Sequence, residues 1–97
     1  MNFAQKVYAL AAEIPEGRIT TYKIIAEKLN CGAYRAVGSA LNKNPYKTVP
    51  CHRVVNSDGG IGGFARGTAN KIKMLRKEGI KIKNRKIENF EEVLFRF

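Results

Sequence analysis

The feature that most constrains the fold is a pair of short amphipathic segments joined by Asn30-Cys31-Gly32. Thr21 can cap the first, Tyr22 to Leu29, in which Ile25, Ala26 and Leu29 form the buried stripe. The second begins near Ala33 and runs to about Asn42, with Ala36, Val37, Ala40 and Leu41 inward. Two helices around a tight glycine-containing turn predict a helix-turn-helix, whose second helix normally faces nucleic acid. Arg35 stands in the first turn of that helix, where a cation opposes the helix dipole and gains nothing locally. It points either to an external partner or to a solvated arginine. Gly38, Ser39 and Ala40 keep the helix slim, suiting close approach of another backbone or tight packing in the core.

The remaining segments attach to this pair. Phe3, Val7, Leu10, Ala11 and Ile14 recur at helical spacing and predict a first helix from Phe3 to Ile14, ended by Pro15-Glu16-Gly17. Arg18-Ile19-Thr20 reads as a short extended link. Asn44-Pro45 stops the third helix, and Asn44 can brace the following loop by bonding its backbone. After Asn56-Ser57-Asp58-Gly59-Gly60 comes Ile61-Gly62-Gly63-Phe64-Ala65-Arg66-Gly67, a glycine-rich loop with Phe64 as its one aromatic. Thr68 can cap a fourth helix reaching Glu78, with Ile72 and Leu75 inward and Gly79 as the stop. Ile80 to Lys83 alternates like a strand, Asn84-Arg85 can turn it, and Lys86-Ile87-Glu88 returns as a hairpin. Val93, Leu94, Phe95 and Phe97 tuck the C-terminus onto the core. The expected architecture is a mainly α, winged helix-turn-helix-like domain with short β-hairpin elements, a single domain over residues 1–97.

Charge narrows the class of partner. Lys and Arg total 18 against 8 Asp and Glu, a formal net charge of +10, which favours a polyanion, most simply nucleic acid. Eight of the basic residues fall between Lys71 and Lys86 (Lys71, Lys73, Arg76, Lys77, Lys81, Lys83, Arg85, Lys86), a run that reads as a solvated face. No apolar run reaches the ~18 residues of a membrane span, and the first residues lack a signal-peptide pattern. The expectation is a cytoplasmic protein, nucleoid-associated, or nuclear in a eukaryote, with Cys31 and Cys51 as free thiols. Two cysteines and one histidine without a close C-x-x-C spacing fall short of a metal site, so no metal is expected.

Chemistry concentrates at Pro50-Cys51-His52-Arg53-Val54-Val55, where a thiol, the chain's only imidazole and a guanidinium are successive. A thiol is a strong nucleophile only as thiolate, and a neighbouring base or cation lowers its pKa. Alone, such a cysteine would more often be structural, His52 a satisfied core histidine and Glu78 a solvated helix-end charge.

Tyr22, Arg35-Ala36-Val37-Gly38, Asn44-Pro45, the Pro50–Val55 string, Gly62-Gly63-Phe64 and Glu78-Gly79 together resemble the O6-alkylguanine-DNA alkyltransferase family. They match its DNA-binding C-terminal domain in order and approximate spacing, from Phe3 to Gly79. The resemblance implies irreversible transfer of an alkyl group from O6 of guanine to the protein's own cysteine, with no cofactor. Cys51 would be the acceptor, His52 the base acting through a water, and Glu78 its orienting carboxylate. Tyr22 would give a proton or hydrogen bond to the departing guanine. A base in a duplex hides its O6 atom, so the family flips the nucleotide out. The partner implied is double-stranded DNA containing O6-alkylguanine, bound by a monomer in the minor groove through Tyr34, Arg35, Ala36, Gly38 and Ser39. Arg35 would fill the vacated stack. Asn44, Arg53, Val54, Phe64 and Ala65 would line the base pocket, with Phe64 as a wall. The carbonyls of Cys51 and Val54 would accept from the guanine amino group.

Departures from the family pattern carry their own expectations. Ala65 stands where a serine often hydrogen-bonds O6, and one lost oxyanion donor costs about 2.7–4 kcal/mol where nothing replaces it. Tyr34 replaces a small residue before the arginine, and the approach from Asn44 to Cys51 is about one residue short. The N-terminal domain of most members is not present, as in the alkyltransferase-like proteins, which bind alkylated DNA without repairing it. Those relatives typically carry tryptophan at the cysteine position, so Cys51 favours repair. The alternatives are a non-catalytic recognition module and an ordinary basic winged-helix binder with a structural Cys51.

Overall fold

The structure is a computed structural model that describes residues 1–62 and 67–97. Helix α1 spans Phe3–Ala11 and opens with a reciprocal cap: Gln5 N donates to Asn2 Oδ1 at 2.8 Å and Asn2 N to Gln5 Oε1 at 3.0 Å. It ends three residues before the expected Ile14. Glu13 and Ile14 donate to the carbonyls of Leu10 and Ala11, a tightened last turn. The residue before Pro15 is also disfavoured from helix. Ile14 is buried all the same.

Helix α2, Tyr22–Lys28, starts where expected, Ile24 N donating to Thr21 Oγ1 at 3.0 Å. Asn30 takes the left-handed conformation, φ 55°, that turns the chain towards α3, Tyr34–Asn42. Val37 and Leu41 point α3 into the core, with Ala40 half-buried. Ala36 is exposed, contrary to expectation. It lies about 100° round the helix from Val37, on the far side from the Leu41 turn. Helices α1, α2 and α3 pack on one another to complete the helix-turn-helix.

The Arg18–Thr20 link finds a partner that local pattern did not disclose. Strand β1, Thr20–Thr21, pairs in parallel with β2, Val54–Val55, in the register Thr20–Val54 and Thr21–Val55. Successive strand side chains face opposite ways. Val54 accordingly enters a core with Val7, Ala11, Ile25 and Leu41, while Val55 enters a second with Ile19, Ile61, Leu75 and Ile80. The ribbon is the wall between two cores. The 3-10 turn Cys51–Arg53 runs directly into it, so packing on both faces fixes where that turn sits.

Helix α4, Thr68–Lys77, does not use Thr68 as its cap. Gly67, at φ 95°, occupies that position, and Thr68 is the first helical residue with no side-chain capping bond. The far end closes as expected at Gly79, φ 91°. Gly79 N donates to Arg76 O at 3.0 Å and Ile80 N to Leu75 O at 3.1 Å, a Schellman closure that sets Glu78 at the C-cap. The expected hairpin follows: β3, Ile82–Lys83, is antiparallel to β4, Lys86–Ile87. A short helix α5, Phe90–Val93, had no sequence expectation. Beyond it Leu94 is buried, and Ile19 N donates to Val93 O at 2.9 Å while Phe95 N donates to Ile19 O at 2.6 Å.

The two threonines provide a test of these helix starts. Thr21→Ala should cost about 1 kcal/mol in urea unfolding, the usual loss of a side-chain N-cap. Thr68→Ala should fall within about 0.5 kcal/mol of wild type.

Candidate active site and nucleic-acid face

Of the residues expected to do chemistry, His52 is held directly by Glu78. The Schellman-held position of Glu78 brings the carboxylate, 9% exposed, against two other segments, the 3-10 turn Cys51–Arg53 and the link after α1. His52 Nε2 lies 2.7 Å from Oε2. Arg53 Nε donates to Oε1 at 3.0 Å and Nη2 to Oε2 at 3.0 Å, a two-pronged ion pair. Gly17 N donates to Oε1 at 3.1 Å. Burial opposes ionisation of Glu78, but the hydrogen bonds from Arg53, His52 and Gly17 outweigh it and hold the carboxyl below its usual range. A carboxylate can only accept, so His52 presents Nε2–H to it and keeps Nδ1 as the basic nitrogen. Arg53 also donates through Nη1 to Ile14 O at 2.8 Å. It lines the cavity beside Cys51, with its charge committed to Glu78.

Cys51 opens the 3-10 turn and lines a cavity of about 220 Å³ with Asn44, Tyr46, Lys47, His52 and Arg53. Asn44 braces the loop, as its position after α3 suggested. Its Nδ2 donates to Tyr46 O at 3.0 Å, and its Oδ1 accepts from Tyr46 N at 2.9 Å. The same amide also reaches Cys51 Sγ at 2.7 Å. An N–H aimed at sulfur favours thiolate over thiol, a contact that sequence reading did not anticipate.

Lys71 is the main residue misassigned from sequence. Counted among solvated cations, it is fully buried: Nζ donates to Val54 O at 2.7 Å and to Tyr22 Oη at 3.3 Å. Burial lowers its pKa to about 8, against an opposing pull from the Cys51 charge. Lys71, Leu75 and Glu78 are spaced i, i+4, i+7, so the inward stripe containing Leu75 was the available signal. The Tyr22 hydroxyl is shifted upward, first by burial and then by the Cys51 charge, so it holds its proton more firmly than a free phenol. Tyr22, Lys71 and Cys51 are thus one electrostatic group. Val54 O retains a second lone pair for another donor.

The α3 residues form a separate surface. Tyr22, Tyr34, Arg35, Gly38 and Ser39 line an open groove of about 370 Å³ with Asn42 and Asn56. Arg35, Ala36 and Ser39 are exposed, as is Tyr34 at 51%. Gly38 faces the Tyr22 ring, where an added Cβ would sit 3.7 Å from Cε1. Tyr22 therefore links the groove to this electrostatic group, its hydroxyl toward Lys71 and its ring toward α3. Phe64 and Ala65 lie outside the described residues. Among the described residues, no cluster of His, Cys, Asp and Glu is placed to hold a metal ion, and no helix is long and apolar enough to cross a membrane.

Comparison with known proteins agrees with this geometry. The family model of the 6-O-methylguanine DNA methyltransferase DNA-binding domain matches residues 2–80. A methylated-DNA–protein-cysteine methyltransferase of Sulfolobus acidocaldarius is 45% identical over 82 residues, covering 84% of this chain and 52% of its own length. The chain thus spans about half of that relative. Mycobacterium tuberculosis OGT in complex with DNA superposes with a TM-score of 0.76 at 38% identity, over 80% of this chain and 50% of that one. S. pombe Atl1, in complex with damaged DNA containing O6-carboxymethylguanine, superposes with a TM-score of 0.86 at 32% identity, over 98% and 95% of the two chains. The chain belongs to the family of 6-O-methylguanine DNA methyltransferase DNA-binding domains.

Proposed function

We propose that the protein repairs O6-alkylguanine in duplex DNA by taking the alkyl group onto Cys51, once and irreversibly. The observation that carries this reading is Cys51 itself, with an amide N–H on its sulfur and a Glu78-anchored His52 as its neighbour. The sulfur attacks the alkyl carbon; the S–C bond forms as the bond from carbon to O6 breaks. The thiol proton passes through a water to His52, and Glu78 stabilises the resulting imidazolium. The electron pair leaves on guanine, which must be neutralised as it departs. Tyr22 holds a proton for that purpose, and the Lys71 ammonium beside its oxygen stabilises the phenolate that donation leaves. The protein acts as a monomer, with α3 in the minor groove and Arg35 filling the space of the flipped base.

A second reading, lesion binding without transfer, is favoured by the near end-to-end match to the Atl1 chain solved on damaged DNA. One experiment separates the two: incubation with duplex bearing O6-methylguanine, followed by intact-protein mass measurement. Repair predicts the gain of one methyl group, lost in Cys51→Ala. Arg35→Ala should slow the gain on duplex while leaving transfer from a single-stranded oligonucleotide. Lesion-selective binding with no mass gain would establish recognition alone.

Lys71 provides a pH test of the buried group. Its folded pKa of about 8 lies below the ~10.4 of an unfolded lysine. The unfolded chain therefore binds more protons between those values, and stability contributed by this site rises with pH across that window. Urea midpoints should show that alkaline gain in wild type and its loss in Lys71→Met.

A further inference from the structure

The β3–β4 hairpin departs from local preference at neighbouring positions, each time to keep a cation. Asn84 and Arg85 both have positive φ, 52° and 60°, in a two-residue turn whose second position usually belongs to glycine. Arginine there carries steric strain that glycine would avoid. Lys83 and Lys86 lie directly opposite in the antiparallel register, where like charges repel. Their register neighbours Ile82 and Ile87 are buried, so the lysines face outward together. Arg76 Nη2 donates to Ile82 O at 3.0 Å, tying the exposed Lys73, Arg76 and Lys77 of α4 to the hairpin. Lys81 is exposed beside them. Among the described residues both ion pairs end on Glu78, and none of these cations has a carboxylate partner.

The hairpin is also coupled to the α3 groove. Gly60 bridges to Lys86, Ile61 N donates to Arg85 O at 3.0 Å and Ile87 N to Gly59 O at 3.0 Å. The turn leading into that segment, Asn56–Asp58, shares a cavity of about 440 Å³ with Tyr22, Lys23 and Tyr34. The hairpin itself lies beyond residues 2–80, the span matched by the family model.

We infer that the hairpin and the outer face of α4 form a second phosphate-binding surface, which grips the flank of the duplex whose lesion lies at α3. This rests on the DNA-binding part of the proposed function and not on transfer. Fixed cations that repel one another lose that penalty when phosphates lie between them. A duplex already held at α3 supplies phosphates at high effective concentration. Local stability is given up for flank contact.

Arg85→Gly and Lys86→Glu test this in the full chain, because each also relieves a local penalty and neither threatens folding. Both should raise the thermal midpoint. Both should weaken binding to undamaged duplex extending well beyond the α3 footprint, with the log Kd against log salt slope shallower by about 0.9 for Arg85→Gly. Affinity for a duplex of about one helical turn should stay near wild type. Unchanged affinity and slope on the long duplex would overturn the inference, leaving these cations solvated or turned to another partner. Equal losses on both lengths would overturn the flank assignment. Because undamaged DNA is the probe, failure of methyl transfer leaves this test intact.

Discussion

A single buried carboxylate organises this domain. Glu78 accepts from the link after α1, from the imidazole of the 3-10 turn and from the guanidinium beside it, while the Schellman closure of α4 holds its own backbone. Three segments distant in sequence meet on two oxygens. The charge is tolerable in that setting only because donors surround it, and the His52 ring is one of them. Removing the carboxylate would leave the half-buried Arg53 against Ile14 O without its counter-ion, and His52 without the acceptor that selects its tautomer.

The reactive turn is held from the other side by packing. Val54 and Val55 point into different cores, so a shift of one residue would bring polar Arg53 or Asn56 into one of them. Cys51 to Arg53 are thereby positioned between a hydrophobic constraint and an ionic one. Lys71 adds a third, bonding the Val54 carbonyl and the Tyr22 hydroxyl together. The α3 groove joins this group through Tyr22, whose ring faces Gly38 and whose hydroxyl accepts from Lys71.

The helix pair, the Thr21 cap and the hairpin were legible because each is a local pattern with a local cause. Parallel pairing of Thr20–Thr21 with Val54–Val55 was not, since neither dipeptide carries information about a partner so far along the chain. Thr68 satisfied the rule for a cap, yet Gly67 took the position, its positive φ being open to glycine and not announced by it. Ala36 was assigned inward because alanine suits either face; Val37 and Leu41 decided the stripe. At the site, the residues came together through resemblance, whereas the reasons they hold came from structure. Lys71 was lost in a charge count although its helical phase matched Leu75 and Glu78. The Asn44 contact to sulfur has no sequence signature at all, being a side chain reaching across a loop.

The central claim is that Glu78 sets His52 to activate Cys51. The most direct measurement is the pH dependence of the single-turnover rate of methyl transfer in wild type and Glu78→Gln, both shown folded. The account predicts that Glu78→Gln is slower near neutrality by about 10²-fold or more, the scale of a lost general base. The gap should narrow at alkaline pH, where the thiol ionises without help. Equal rates for the two proteins across that range would contradict it.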